Sequence, residues 1–136
     1  MKGQYFPILV KFLVSFIVMS VVTLSFADDA KDAALRTAEK LCQNTYPTSI
    51  ENCSIVFSRM HGNCLACHFI QGGTQTGNIG PTLFSMKQRF PDKAVLRAII
   101  WNAGDRNANS IMMPFGQHKI LTEEQIDKVT DFIYTL

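Results

Sequence analysis

The segment Cys64-Leu65-Ala66-Cys67-His68 constrains this chain more than any other. It reads C-x-x-C-H: two thiols three positions apart, followed at once by an imidazole. That is the attachment signature of a c-type haem. Cys64 and Cys67 add to two vinyl groups of one porphyrin, and His68 is held against the iron as an axial ligand. The cofactor expected is therefore one haem c, covalently bound through two thioethers, which adds a large apolar body to a small core. Two other chemistries use the same atoms. With Cys42 and Cys53 the chain has four thiols, enough for a structural zinc site. A C-x-x-C pair also serves as a redox dithiol, in a βαβ context. No alternation of apolar strands with helices surrounds Cys64, and the zinc reading leaves His68 without a role.

In bacteria, c-type attachment belongs outside the cytoplasm, and the N-terminus fits that compartment. Lys2 and Lys11 flank a short lead, and Phe12 to Phe26 is almost wholly apolar. Ser25-Phe26-Ala27 puts small residues where a signal peptidase reads, and Asp28-Asp29 follow. Residues 1–27 read as a signal peptide cleaved after Ala27, leaving 28–136 as one monohaem cytochrome domain in the periplasm. A retained membrane anchor is the alternative, but the uninterrupted apolar run is shorter than the ~20 residues a spanning helix needs. The net charge of +2 comes from 13 basic and 11 acidic residues. Lys2 and Lys11 account for all of that excess, so the chain from Asp28 onward is balanced. Neither a nucleic-acid partner nor a polybasic membrane surface is implied. Membrane contact is expected only through the signal peptide before cleavage. Once the porphyrin takes Cys64 and Cys67, Cys42 and Cys53 remain. In an oxidising compartment they read as a disulfide closing the loop through Tyr46-Pro47-Thr48; a free thiol with its own sulfur chemistry is the alternative.

The fold class expected is all-α, a small domain of three to five helices around the haem. Ala33, Leu35, Ala38 and Leu41 recur among charges over Asp28 to Gln43, a first helix with acidic residues at its start. Thr48-Ser49-Ile50-Glu51 reads as a capping box with Thr48 as N-cap, opening a second helix towards Met60 that presents Ile55, Val56 and Met60. Gly62 turns the chain into the haem motif. Gln71 to Gly80 is a Gly- and Thr-rich loop. Pro91-Asp92 opens a third helix with a stripe of Val95, Leu96, Ile99 and Ile100. After a polar loop from Asn102 to Ser110, Thr122-Glu123-Glu124-Gln125 forms a second capping box. It opens a last helix whose Ile126, Val129, Phe132, Ile133 and Leu136 face one side.

A low-spin haem takes a second axial ligand, and the loop Asn109 to Gly116 offers two thioethers ahead of Pro114. Met113, directly before that proline, is the preferred iron ligand, followed by Met112 and then His118; thioether sulfur raises the potential relative to a second imidazole. On the proximal side, the carbonyl of Pro81 is the candidate acceptor for the free ring N–H of His68, with a plain turn as the alternative reading of Gly80-Pro81. His61 and His118 read as surface histidines. Trp101 reads as core, or else as an N–H donor to a haem propionate.

A helix leading into C-x-x-C-H, a G-P-x-L loop, an M-P loop and a capped last helix resemble a class I cytochrome c. In detail Gly62-Asn63-Cys64-Leu65-Ala66-Cys67-His68, Gly80-Pro81-Thr82-Leu83, Met113-Pro114-Phe115-Gly116 and Ile120-Leu121-Thr122-Glu123-Glu124-Gln125-Ile126 resemble the SoxX family over roughly residues 50–136. That resemblance implies the monohaem subunit of a SoxAX heterodimer, paired with a SoxA-type cytochrome that carries the catalytic cysteine-ligated haem. The complex couples thiosulfate oxidatively to a cysteine on the SoxYZ carrier protein. This chain would wall one side of the site and pass electrons to a soluble cytochrome c, with no catalytic residue of its own. Two departures stand out: Asn107-Ala108-Asn109 lacks the Asn-Pro often found before the methionine loop, and the Cys42/Cys53 pair matches no clear family pattern. The competing function is a free-standing class I cytochrome c shuttling electrons between respiratory complexes. A third class, a haem sensor or peroxidase, requires that Met113 not ligate the iron.

Overall fold

The computed structural model describes residues 28–136; the expected signal peptide and its cleavage site lie outside the described residues. Residues up to 33 belong to one unit and 34–136 to a second. Residues 28–45 are helical and are called α1. The second unit then carries α2 (Ile50–Phe57), a 3-10 turn at Cys64–Ala66, α3 (Met86–Arg89), α4 (Lys93–Trp101), a 3-10 turn at Ala103–Asp105 and α5 (Glu123–Thr135). No strand occurs among the described residues. The fold is all-α.

The organising element is α5. Thr122 Oγ1 accepts from Gln125 N at 3.2 Å, and Gln125 Oε1 accepts from Thr122 N at 3.0 Å. This reciprocal cap fixes where the helix starts, and Glu123 and Glu124 in the first turn suit the positive end of its dipole. Ile126, Val129, Phe132 and Ile133 are buried along one face, which packs against α2 on one side and α4 on the other. Phe132 meets Tyr46 edge-on at 4.9 Å and Phe57 at 6.2 Å. Such T-shaped contacts are favoured by the ring quadrupoles. Asp92 caps α4 by accepting from Ala94 N at 2.8 Å, and α4 buries Leu96 and Ile100. Lys93–Asp131 and Arg97–Asp127 pairs join α4 to α5. Lys93, Asp131 and Asp127 are exposed and Arg97 is half-buried, so these surface pairs add little stability.

The first capping box does not form. Ser49, not Thr48, sits at the N-cap of α2, and its side chain makes no capping bond. With the start shifted by one residue, Glu51 no longer stands at the third helical position, and its carboxylate accepts from Lys128 Nζ on α5 at 2.5 Å. The helix also ends at Phe57 rather than near Met60. Ser58 adopts an extended backbone, and its carbonyl collects the amides of His61 and Asn63, leaving Met60 53% exposed. The short α3 falls where the sequence pattern indicated no helix. Cys42 and Cys53 are joined in a disulfide, with Cα atoms 5.9 Å apart and both residues fully buried. This bond ties the end of α1 to α2.

Candidate haem site

The turn after α2 delivers the motif. Gly62 N donates to Ile55 O at 3.0 Å, and a Cβ at Gly62 would lie 2.9 Å from that same oxygen. Only a glycine lets the chain return this closely against α2. Asn63 takes the left-handed conformation at φ 48°, which a single Asn tolerates better than most residues. A 3-10 turn follows, in which Cys67 N and His68 N both donate to Cys64 O, at 3.2 and 2.9 Å. One helical turn therefore places residues 64, 67 and 68 on a common face, as i, i+3 and i+4 spacing dictates. Cys64 and Cys67 are free thiols. Burial of its sulfur pushes the Cys64 thiol up to about 12; a backbone hydrogen bond opposes this and nearby Cys67 reinforces it. Cys64 is thus held as a neutral thiol.

A loop clasps the histidine from the other side. His68 Nδ1 lies 2.7 Å from Pro81 O. A carbonyl only accepts, so Nδ1 carries the proton and Nε2 keeps the ring's lone pair. Two backbone bonds flank this contact: Gly80 N to Cys67 O at 2.8 Å, and Leu83 N to Phe69 O at 3.0 Å. A Cβ at Gly80 would lie 2.4 Å from His68 Cε1 and 2.9 Å from Nε2. The loop can approach the ring face only because residue 80 has no side chain.

The methionine loop is built from both ends. Gly116 N donates to Trp101 O at 3.1 Å, and a Cβ at Gly116 would come within 2.2 Å of the Trp101 ring. Ile120 N and Leu121 N both donate to Phe115 O. Phe115-Gly116 therefore locks the end of α4 to the start of α5, a role that the sequence pattern alone did not show. Met112 is half-buried against the core, whereas Met113 is 53% exposed. Trp101 is half-buried against the core, with the Arg97 guanidinium 5.7 Å above its ring. His118 is exposed. His61 departs from the surface reading: its Nδ1 lies 2.9 Å from the hydroxyl of buried Ser58, within the turn that leads to Cys64.

This geometry sorts the chemistries that the sequence left open. The disulfide consumes two of the four cysteines, which removes the four-thiol zinc site. The helical surroundings remove the βαβ setting of a redox dithiol. What remains is two free thiols and an imidazole on one turn, the imidazole oriented by a carbonyl with its second nitrogen unengaged by that bond. This donor set fits a covalently attached haem. The sequence profile of the cytochrome c family matches residues 56–136. The chain belongs to the cytochrome c family. No curated protein and no solved structure matches it. Membership implies a covalently bound haem c and an electron-transfer role. The matched region starts inside α2, so α1 and the disulfide loop precede it. Cys64 and Cys67 are the residues that would hold the haem, and His68 Nε2 the one that would face its iron. Bound there, the haem supplies a one-electron couple; the protein orients the imidazole through Pro81 O, and before attachment burial keeps Cys64 in its thiol form.

Proposed function

We propose that this cytochrome is the SoxX-type subunit of a periplasmic SoxAX L-cysteine S-thiosulfotransferase. The feature that carries the reading is the joint presence of Gly62-Asn63-Cys64-Leu65-Ala66-Cys67-His68 and Met113-Pro114-Phe115-Gly116, with Leu121-Thr122-Glu123-Glu124-Gln125-Ile126 five residues on. The cytochrome c fold alone accounts for the attachment cysteines and histidine but not for the detail around them.

In this reading one haem c is attached through Cys64 and Cys67, with His68 and Met113 as axial ligands and Pro81 behind the histidine. Met112 is engaged in packing while Met113 is not committed to the core, which favours Met113 as the thioether donor. Joining the thiosulfate dianion to the SoxYZ cysteine breaks the S–H bond, forms one sulfur–sulfur bond and releases one proton and two electrons. The SoxA-type partner carries that reaction; this chain accepts electrons singly and hands them to a soluble cytochrome c. It performs no catalysis on its own. Cleavage of the signal peptide after Ala27 places the mature chain with these partners in the periplasm.

Purification of tagged protein from a periplasmic extract tests the assembly, and thiosulfate-dependent modification of the carrier cysteine, assayed with and without this subunit, tests the role. Co-elution with a haem-bearing SoxA-type chain and loss of modification when this subunit is omitted support the proposal. Recovery as a lone monohaem monomer, with modification unaffected by its omission, leaves a free-standing electron shuttle instead.

A further inference from the structure

We propose that Arg89 is a positioning residue for the proximal histidine: it fixes the peptide next to the one whose carbonyl accepts the His68 Nδ1 proton. The inference rests on the haem site shared by the cytochrome c family and holds whichever partner the protein serves.

The acceptor belongs to the Pro81–Thr82 peptide, and the chain is pinned on either side of it. Two peptides ahead of it, Gly80 N is bonded to Cys67 O at 2.8 Å. Behind it, the Thr82–Leu83 peptide is gripped at both ends. Its N–H donates to Phe69 O at 3.0 Å, and its carbonyl, Thr82 O, accepts from Arg89 Nη1 at 2.9 Å. Proline fixes its own φ. With the following plane held, Gly80 anchored and the φ of Pro81 fixed, the carbonyl of Pro81 has little freedom to turn away from the imidazole. Cys67, His68 and Phe69 are thus tied in sequence to Gly80, Pro81 and Leu83, and Arg89 is the one side chain outside the loop shown closing this clasp.

The guanidinium is well prepared for that task although it lies at the surface. Arg89 ends α3, which starts from Ser85 in the left-handed conformation. Ser85 N is bonded to Leu136 O at 2.7 Å, and Met86, one residue on, is buried in the core. The same Nη1 lies 3.4 Å from Met86 Sδ, and the guanidinium carbon sits 5.8 Å from the Phe90 ring centroid. The planar group is therefore confined between sulfur, ring and carbonyl, so little side-chain freedom is lost in making the bond to Thr82. Because the Nδ1–H···O=C bond sets the orientation and basicity of an axial imidazole, a side chain that fixes its acceptor acts on the ligand without touching it.

The readout is exchange of the His68 Nδ1 proton with solvent, followed by NMR on the haem-loaded ferrous protein labelled with 15N-histidine. Arg89→Met removes the donor and the charge, Arg89→Gln removes the charge and keeps a donor, and Arg89→Lys keeps both. The expected result is exchange about threefold to tenfold faster in Arg89→Met, the change expected when one hydrogen bond's net contribution is lost. Arg89→Lys and Arg89→Gln should stay close to the parent protein, and the amides of α5 should be unchanged in all three. Arg89→Ala gives the same comparison if the Met variant does not fold. A Met or Ala variant whose Nδ1 proton exchanges at the parent rate overturns the proposal. So does acceleration of Nδ1 and α5 exchange together, which marks general loosening, or a Gln variant that groups with Met, which marks a pure charge effect. Absence of covalent haem in the parent protein would instead defeat the haem site itself, an outcome read separately from the visible spectrum.

Discussion

Removing the Cys42–Cys53 disulfide should cost this domain a large part of its stability while leaving the haem site intact. The two residues are 11 positions apart. Chain-entropy loss in the unfolded state for a loop of this length corresponds to about 3 kcal/mol. Both cysteines are fully buried, so a Cys42→Ala/Cys53→Ala variant also leaves small voids, adding up to about 1 kcal/mol at each site. A domain of this size has about 5–15 kcal/mol in total, and each kcal/mol moves its melting temperature by roughly 4–8 °C. The double variant should therefore melt about 12–40 °C below the parent, and reduction of the parent with a phosphine, which lacks the void contribution, should lower it by about 12–25 °C. Melting followed by far-ultraviolet circular dichroism measures both. The visible spectrum at room temperature should not change, because the Ser58 turn and the loop around His68 are held by their own bonds. A drop of less than about 3 °C, with the disulfide verified in the parent by thiol counting, would refute the entropic argument.

Three further outcomes follow from the same geometry. Gly80→Ala places a methyl group against the His68 ring and should destabilise the domain by about 1–3 kcal/mol, with a shifted Soret band; an unchanged spectrum and melt would show that the loop yields freely. The near-infrared charge-transfer band of Met-ligated ferric haem should vanish in Met113→Ala and persist in Met112→Ala, and the reverse pattern would reassign the ligand. Lys128 holds Glu124 below the usual carboxylate range, chiefly through their hydrogen bond and then through charge. A depressed folded-state value gives stability that is present above the unfolded pKa and lost as pH falls through the folded one. The melting gap between the parent and Lys128→Met should accordingly be small at pH 7, shrink with added salt and disappear in strong acid; a gap that persists in acid would point to packing by the lysine stem.

The parts legible in the sequence were those governed by local chemistry. The C-x-x-C-H spacing implies a single turn, and Thr122/Gln125 and Asp92 mark helix starts through bonds between near neighbours. Thr48 and Glu51 have the same capping pattern and fail: the helix starts from Ser49, and Glu51 pairs with Lys128, 77 residues away. No local pattern reports such a distant partner. Phe115-Gly116 drew attention only as part of a ligand loop, yet its amide and carbonyl join α4 to α5, and Arg89 stood in no motif at all. Those roles exist only once distant segments are brought together.

The central claim is one haem held covalently by Cys64 and Cys67, and intact-mass spectrometry of protein secreted by a host that matures c-type cytochromes tests it most directly. The account predicts the mass of the polypeptide plus one haem, retained in acid and organic solvent, with no covalent haem in a Cys64→Ala/Cys67→Ala variant. A parent mass equal to the bare polypeptide, or to more than one haem, would contradict it.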